Sequence, residues 1–363
     1  MALNNMKTAT ITFHAPNNNG SFLQAYALQK YITTHFDNVE NEIIDFQPES
    51  QQQQYAIFRK IHSKKDILRN LISFWHYKAL SKRFLAFSEM REKYLKMTKR
   101  CTTTEEALKI AGNYDLVIAG SDQIWNPNYP TATRNAFLQF APESRRIALS
   151  ASIGISDVNT MLPEYSEWIG SIPYLSVREE RAAEIITELT GKNAEVFLDP
   201  TMLISLEKWN QMADQAETKL PSKFAVGYFL GIREKKYDAY IQQEIKGLAY
   251  VDLLNGEATE YLKFGPDQVV DAIRKAEMVF VDSFHGAVFS ILFHKQFVVF
   301  NRSEKGQTMN SRLETLLKRF GLKNRIFNDN NVEELRQPID YQYIDQIIEK
   351  EKVRVHDFLD SAM

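Results

Sequence analysis

The sequence predicts an α/β protein with two doubly wound domains that face each other across a cleft. Short strand-like runs alternate with helix-like segments through most of the chain, which is typical of parallel sheets covered by helices on both faces. The strands read as continuous apolar runs, as expected where both faces of a sheet are buried. The alternation occurs in two runs of similar length, and 363 residues suffice for two such domains.

The first run of alternation defines an N-terminal Rossmann-like domain at residues 1–172. It opens with a β-branched strand at 8–14 and a helix at 22–36, in which apolar residues recur every three or four positions. Further strands are expected at 39–46, 115–119 and 146–154. Residues 47–104 interrupt this pattern with a glutamine tract followed by basic, aromatic and amphipathic sequence. We expect a helical insertion there.

The second run defines a C-terminal Rossmann-like domain at residues 173–340. Strands are expected at 176–177, 195–198, 224–230, 250–254, 278–281 and 297–300, with helices between them. A helix follows in the final segment, residues 341–363, and we expect it to pack back on the N-terminal domain.

Composition narrows the function classes. The chain has 44 Lys and Arg against 46 Asp and Glu, so it lacks the basic excess of a nucleic-acid binder. One cysteine, Cys101, and no signal-peptide pattern predict a reducing cytoplasmic setting. No apolar run has the roughly 20 residues that a transmembrane helix needs. The basic insertion leaves a peripheral membrane contact open beside a plain solvated face, and homo-oligomerisation is also left open.

Ligands of doubly wound sheets bind beyond the carboxyl ends of the strands, where two loops stand out. Asn17–Ser21 begins a helix and offers free backbone N–H groups to an anion or hydroxyl; the alternative is a turn capped by Ser21. The loop GSDQIWNP at 120–127 combines Asp122 with Trp125, a pairing that suits a sugar ring. The alternative is an organised turn with a core tryptophan.

Two further strand ends carry groups with chemistry. Arg178 can pair with a carboxylate or phosphate, or be a surface arginine paired with Glu179 or Glu184. His285 precedes a helix in the stretch VFVDSFHGAVF, where it can transfer a proton near neutral pH or be structural. The sequence has no HExxH, CxxC or P-loop and no carboxylate cluster, so neither a metal nor a cofactor is expected.

Six motifs in order resemble the polysaccharide pyruvyl transferase family. They run from about residue 8 to 325 and comprise Asn19-Gly20-Ser21 with its following helix, GSDQIWNP, Ser176-Val177-Arg178-Glu179, Leu198-Asp199-Pro200-Thr201, Asp282-Ser283-Phe284-His285-Gly286, and Asn310-Ser311-Arg312-Leu313. Each motif is weak alone, but six in the same order are fairly specific. The resemblance implies a fold like that of the GT-B glycosyltransferases.

The resemblance also implies a reaction. Family members move the pyruvyl group of phosphoenolpyruvate (PEP) onto two hydroxyls of a sugar, usually as a cyclic ketal, in the synthesis of surface polysaccharide or exopolysaccharide. PEP would be a co-substrate, and the acceptor a sugar or a lipid-linked oligosaccharide. His285 would be the acid, Arg178 would hold PEP, and Asp122 could act as the base. The implied PEP contacts are Arg178, Ser283, Phe284, His285, Gly286, Lys305 and Arg312. The implied acceptor contacts are His14, Asn18, Asn19, Gly20, Ser21, Ser121, Asp122, Gln123 and Trp125.

One position departs from the family pattern. Characterised members often have Arg-Leu-His where this chain has Ser283-Phe284-His285. Either Arg302 or Arg312 replaces that charge, or the donor differs. Two other functions stay open at this point. One is a GT-B glycosyltransferase that uses a sugar nucleotide, and the other is a non-catalytic member that scaffolds a polysaccharide assembly complex.

Overall fold

A six-stranded parallel sheet organises the first part of the chain, with strand order β2-β1-β3-β4-β5-β6. Its strands are β1 (Met6–Ile11), β2 (Val39–Ile43), β3 (Leu116–Ala119), β4 (Arg146–Ala151), β5 (Tyr174–Val177) and β6 (Glu195–Val196). The chain passes from β1 to the edge strand β2 and returns to β3 on the other side of β1. The loops after β1 and β3 therefore diverge at a topological switch point, the usual ligand position in such sheets.

Helices cover both faces of this sheet. The helices outside the insertion are α1 (Asn19–His35), α5 (Thr104–Ala111), α6 (Glu164–Gly170) and α7 (Glu180–Thr190). Helix α1 connects β1 to β2 and is buried along most of its length, because it packs on β2 and on the turn Pro200–Met202. The apolar core joins strands β1, β3, β4 and β5 with α5, α6 and α7.

The predicted insertion forms three helices, α2 (Glu49–Tyr55), α3 (Lys64–Trp75) and α4 (Tyr77–Tyr94). After α4 the chain runs back beside β2, where Met97 pairs with Ile43 and Cys101 with Phe46. The insertion thus leaves and rejoins the carboxyl end of one edge strand, so the sheet tolerates it without a change of register.

A four-stranded parallel sheet organises the second part, with strand order β10-β9-β7-β8. Its strands are β7 (Phe224–Tyr228), β8 (Ala249–Asp252), β9 (Met278–Val281) and β10 (Gln296–Val299). The helices are α8 (Leu206–Asp214), α9 (Lys235–Glu244), α10 (Pro266–Lys275), α11 (Phe284–Leu292), α12 (Ser311–Arg319), α13 (Val332–Leu335) and α14 (Tyr341–Asp360). The order repeats that of β2-β1-β3-β4, so the switch point here lies between β7 and β9.

The computed structural model describes residues 5–129, 131–254, 264–302 and 311–363. The chain divides into a first unit of residues 1–204 and 351–363 and a second unit of residues 205–350. The end of α14 belongs to the first unit, where His356 stacks on Phe36 and Phe358 lies edge-on to Phe197. Among the described residues, no helix is both long and apolar enough to cross a membrane.

The predicted α/β class with two Rossmann-like parallel sheets is confirmed, but the boundary predicted at 172/173 is wrong. Strand β5 pairs in parallel with β4, and β6 pairs with β5, so residues 173–204 complete the first sheet. Side chains reinforce this pairing, since the Ser176 hydroxyl donates to the Ala148 carbonyl at 2.8 Å. The sequence pattern could show that these were strands but not which sheet they joined.

Candidate functional site

Asp122 links the two loops at the switch point of the first sheet. Its carboxylate accepts a hydrogen bond from the Ser21 hydroxyl at 2.6 Å and another from the Gln123 backbone N–H at 2.9 Å. Its backbone is left-handed, with φ +72°, a conformation that aspartate tolerates better than most side chains. The loop after β3 is thereby tied to the first turn of α1, which follows β1.

Arg178 lies buried at the end of β5, and its guanidinium is held by two carboxylates. It donates to Asp199 at 2.5 Å and lies 3.7 Å from Asp122, and only 1% of its side chain is exposed. Burial by itself lowers the pKa of Arg178, but the charges of Asp199, Asp122 and Glu179 raise it above its usual value. A donor anion that approached this cation would have to compete with Asp199.

Asp199 completes the network from the end of β6. One carboxylate oxygen accepts from the Ser121 hydroxyl at 2.9 Å, and the other accepts from the Thr201 backbone N–H at 3.0 Å and hydroxyl at 2.6 Å. The Ser121 carbonyl in turn accepts from Thr12 at 2.9 Å. Loops after β1, β3, β5 and β6 are therefore joined by one buried polar network.

Glu179 is a second buried acid at this edge. One of its carboxylate oxygens accepts from the Ser152 hydroxyl at 2.9 Å and from the backbone N–H groups of Ile153 and Gly154 at 3.0 Å each. Gly154 has φ +66°, and a Cβ there would collide with the Gln123 side chain. The loop after β4 is thus fixed against the loop after β3.

His14 is not positioned to line an open acceptor site. Its ring is 2% exposed, with Nε2 2.8 Å from an Asp45 carboxylate oxygen and Nδ1 3.0 Å from the Thr12 carbonyl. Burial by itself raises the pKa of Asp45, but hydrogen bonds from His14, Gln47 and Arg100 and the charge of His14 lower it to about 2. His14 and Asp45 form a buried hydrogen-bonded pair that braces the loop after β1.

Trp125 does not form the predicted sugar-stacking platform. Its indole is fully buried, stacks on Phe137 with centroids 5.2 Å apart, and donates to the Ala136 carbonyl at 2.9 Å. Gln123 is also buried, and its side-chain oxygen accepts from Asn126 at 2.6 Å. The alternative of an organised turn with a core tryptophan describes this loop, because residues 120–126 are all buried.

The insertion holds the loop after β1. Arg83 donates to the Asn17 carbonyl at 3.1 Å, and Arg91 donates to the Ala15 carbonyl and to the Asn17 side chain at 3.2 Å each. Burial raises the pKa of Tyr55 to about 12, with smaller contributions from Tyr129 and Asp122. Helices α2 and α4 therefore act on the same edge as the polar network, which sequence reasoning missed.

In the second unit, Asp282 follows β9 and reaches back to the loop after β7. Its two carboxylate oxygens accept from the backbone N–H groups of Leu230 at 2.7 Å and Gly231 at 2.8 Å. The guanidinium of Arg302, just after β10, lies 3.3 Å from the carboxylate and donates to the Asp282 carbonyl at 3.1 Å. Arg302 therefore balances Asp282, which limits it as a replacement for the arginine missing at 283.

His285 occupies the first turn of α11, at the carboxyl end of β9. Ser283 caps this helix, because its hydroxyl accepts from the Gly286 N–H at 3.4 Å. Gly286 has a packing role, since a Cβ there would lie 2.7 Å from a Val281 methyl group. His285 is 8% exposed and lies edge-on to Phe284, with ring centroids 5.2 Å apart. The motif thus places His285 by capping and close packing.

Arg312 is the predicted donor cation that the structure places beside this motif. It lies in the first turn of α12, is 7% exposed, and its guanidinium sits 5.9 Å from the centroid of the Phe284 ring. Phe284 therefore contacts both Arg312 and His285. Lys305, also predicted to bind PEP, lies outside the described residues.

A cavity of about 330 Å³ opens at the carboxyl ends of β7 and β8. Its described lining consists of Phe229, Gly231, Ile232, Arg233, Asp238, Asp252 and Leu254. Arg233 pairs with Asp252 and, at 3.1 Å, with Asp238, so the charged lining has an acidic excess. That lining disfavours a phosphate ligand, whereas the neighbourhood of His285 and Arg312 does not.

The predicted site residues thus fall into two groups, one in each structural unit. The first unit brings together the switch-point residues Asn18, Ser21, Ser121, Asp122 and Arg178, while Ser283 to Gly286 and Arg312 lie in the second unit. Sequence reasoning missed Asp199, Glu179 and Asp282 as the buried acids that organise these loops. Their common signal was a carboxylate within three residues after a strand end. Among the described residues, no three His, Cys, Asp or Glu side chains gather as metal ligands.

The fold belongs to the GT-B class. The structure is similar to UDP-GlcNAc 2-epimerase from Neisseria meningitidis bound to UDP-GlcNAc, with a TM-score of 0.50 at 12% identity, covering 98% of this chain and 99% of that one. It is also similar to UDP-N-acetylglucosamine 2-epimerase from Rickettsia bellii, with a TM-score of 0.50 at 10% identity and 98% of each chain covered. At such identities the likeness concerns the fold alone.

The chain belongs to the polysaccharide pyruvyl transferase family, whose sequence model matches residues 18–304. This match confirms the resemblance drawn from the six motifs, and it makes the protein a transferase of polysaccharide biosynthesis. No curated protein matches the sequence significantly.

Proposed function

We propose that the protein transfers the pyruvyl group of PEP to two hydroxyls of a sugar, forms a cyclic ketal and releases phosphate. The observation that carries this proposal is the placement of His285, in the first turn of a helix at the β7/β9 switch point. The ring of Phe284 lies between His285 and Arg312 and contacts both. An acid and a cation at one strand end suit the protonation of an anionic enol phosphate.

The proposed reaction needs one proton on carbon. His285 protonates the methylene carbon of PEP, which makes C2 electrophilic, and the first sugar hydroxyl attacks C2 and loses its proton. The C2–O bond to phosphate breaks, and the second hydroxyl closes the ketal. Two hydroxyl protons are released in total: one replaces the proton given to the methyl group, and the other leaves with the phosphate.

The second unit would bind the donor. The N-terminus of α11 and the guanidinium of Arg312 provide positive potential beside His285, which favours an anion there. Ser283 takes no charge-pairing role in this proposal, because its hydroxyl caps α11. Lys305 remains a proposed second cation for the PEP phosphate or carboxylate. Nothing in the reaction requires a redox cofactor.

The first unit would bind the acceptor. Asp122 is the proposed base for the attacking hydroxyl, and its side chain is 11% exposed. The Ser21 hydroxyl and Arg178 hold Asp122 in place, so we assign Arg178 a positioning role and not a PEP contact. Asn18 and the backbone of Asn19 and Gly20, at the start of α1, are proposed to bind acceptor hydroxyls.

The test compares two histidines near opposite ends of α11, His285 in its first turn and His294 just beyond its last. We expect His285→Gln to lower phosphate release from PEP with a polysaccharide-derived sugar acceptor by about 10²–10⁴-fold, because the proton donor is lost. PEP should still raise the melting temperature of this variant, since a ligand of the folded state stabilises it. His294→Gln is the matched control, because His294 is 45% exposed and pairs with Asp345, away from the motif.

Three results would contradict the proposal. Undiminished phosphate release by His285→Gln would remove His285 from the chemistry. Stabilisation of the wild type by UDP-, GDP- or CMP-sugars but not by PEP would favour a sugar-nucleotide glycosyltransferase, and stabilisation by none of them would favour a non-catalytic scaffold.

A further inference from the structure

An apolar surface is concentrated on the insertion. Among the described residues, 18 large apolar side chains are exposed, and 11 of them fall within residues 58–85. These 11 residues, here called the hairpin patch, are Phe58, Ile61, Ile67, Leu68, Leu71, Ile72, Phe74, Trp75, Tyr77, Phe84 and Leu85. Single exposed apolar residues are ordinary, but eleven of them concentrated in one segment mark a binding surface.

Helix α3 carries its apolar face outward. Its exposed apolar residues follow two adjacent stripes of spacing four and three, Ile67-Leu71-Phe74 and Leu68-Ile72-Trp75. Its polar face turns toward the protein, where Asn70 exchanges two hydrogen bonds of 3.0 and 2.9 Å with the Arg59 backbone and Ser73 is buried. If the outer face of α3 met only water, its apolar stripes would be expected to face the protein and its polar face the solvent.

The same segment is strongly basic. Residues 58–85 contain eight Lys or Arg and one acidic residue, Asp66, although the whole chain has a net charge of -2. Lys64, Lys65, Lys78 and Lys82 are all exposed on α3 and α4. Charge of one sign repels a second copy of the same segment and attracts an anionic surface. The occupant of the hairpin patch is therefore anionic as well as apolar.

We propose that α3 and α4 dock in the interface of an anionic lipid bilayer. An amphipathic pair with basic residues and large apolar side chains lies in the plane of such an interface, as this pair would. Phe74, Trp75 and Tyr77 flank the one-residue turn between the helices, and aromatic residues favour the headgroup level. An acidic protein would satisfy the charge, but it would not call for nine exposed apolar side chains on two helices.

Docking would act on the first unit directly. Helix α4, which carries part of the hairpin patch, also holds the loop after β1 through Arg83 and Arg91. If that loop binds the acceptor, a point that rests on the proposed function, the protein meets its acceptor at the membrane, as a lipid-linked sugar requires. Vesicle binding itself does not depend on the reaction and is measured without PEP.

The experiment is flotation of the full chain with phosphatidylcholine vesicles, with and without phosphatidylglycerol. We expect strong binding only to the anionic vesicles, and about tenfold weaker binding for Leu71→Glu, because the variant puts a charge into the apolar layer. Leu108→Glu is the matched control: Leu108 is 53% exposed and Leu71 54% exposed, but Leu108 lies on α5, outside the insertion. It should bind as the wild type does.

A second readout follows Trp75, which is 82% exposed. Its fluorescence should shift to the blue when anionic vesicles are added, and Trp75→Phe should abolish that shift while keeping most of the binding. Equal flotation of Leu71→Glu and wild type, or no binding to anionic vesicles, would overturn the proposal. A lipid-free dimer that Leu71→Glu dissociates would overturn it in favour of a second copy as the occupant.

Discussion

The carboxyl edges of the two sheets use the same device with different partners. In each sheet an acid after the third strand, Asp122 or Asp282, reaches back to the loop or helix that follows the first strand. Asp122 takes a side-chain hydroxyl and shares a fully buried arginine with Asp199. Asp282 takes two backbone N–H groups and a more peripheral arginine, Arg302. The first edge is therefore held by charges that depend on one another, and the second mainly by the backbone.

The largest expected effect is a difference in the free energy of unfolding between variants of Arg178 and of Arg302. Arg178→Met leaves Asp199 and Asp122 buried without their cation, and we expect a loss of about 3–5 kcal/mol in the free energy of unfolding. Arg302→Met should be less damaging, roughly 1–3 kcal/mol, because Asp282 keeps its two backbone donors. Urea unfolding followed by circular dichroism measures both.

Adding Asp199→Asn to Arg178→Met should restore part of the stability, since the unpaired charge is removed. Equal losses for Arg178→Met and Arg302→Met would show that the two edges do not differ in this way.

Acid should affect the first edge through Asp45, whose pKa lies at about 2 in the folded protein. A depressed carboxylate pKa stabilises the fold fully above the unfolded value near 4, and that stabilisation is lost as the pH falls toward 2. We expect the loss to be about 1–2 kcal/mol, allowing for solvent screening. The measurement is the urea midpoint of the wild type and of Asp45→Asn at about pH 5 and about pH 3.

Asp45→Asn should be less stable than the wild type at pH 5, and its own dependence on pH should be flatter. Parallel pH profiles for the two proteins would mean that the pair of Asp45 and His14 does not contribute to the stability of the first edge.

The smallest expected effects come from the two helix caps. Asn18 accepts from the Ser21 N–H at 3.2 Å at the start of α1, and Ser283 accepts from the Gly286 N–H at 3.4 Å at the start of α11. Alanine at either position should lower the free energy of unfolding by about 1 kcal/mol. The two variants differ in what else they test. Ser283→Ala should keep its turnover, whereas Asn18→Ala should also weaken binding of the acceptor.

Asn18→Asp and Ser283→Asp serve as controls, because both retain a capping oxygen. If Ser283→Ala lost turnover without losing stability, Ser283 would have to be assigned a role in PEP binding.

The sequence by itself determined the α/β class, the order of the elements and the family. Periodicity and strand-end motifs are local properties, so the strand Met278–Val281 follows from them residue by residue. The next helix was expected to begin after His285, but it begins at Phe284, because the Ser283 hydroxyl caps it. The existence of a helical insertion followed for the same reason. These features need only the spacing of apolar residues and the turn residues that separate them.

The tertiary structure alone decided which strands share a sheet and which charges meet. Strand β5 joined the first sheet by pairing with β4, and β6 joined it by pairing with β5, and no local pattern encodes these long-range contacts. Trp125 entered the core, and Arg178 met Asp199 across 21 positions of sequence. The sequence does not distinguish an arginine that binds a ligand from one that is paired with a buried carboxylate, because packing sets its burial and its partners. The outward apolar face of α3 is of the same kind: the sequence gives its amphipathic spacing, and only packing shows which face meets water.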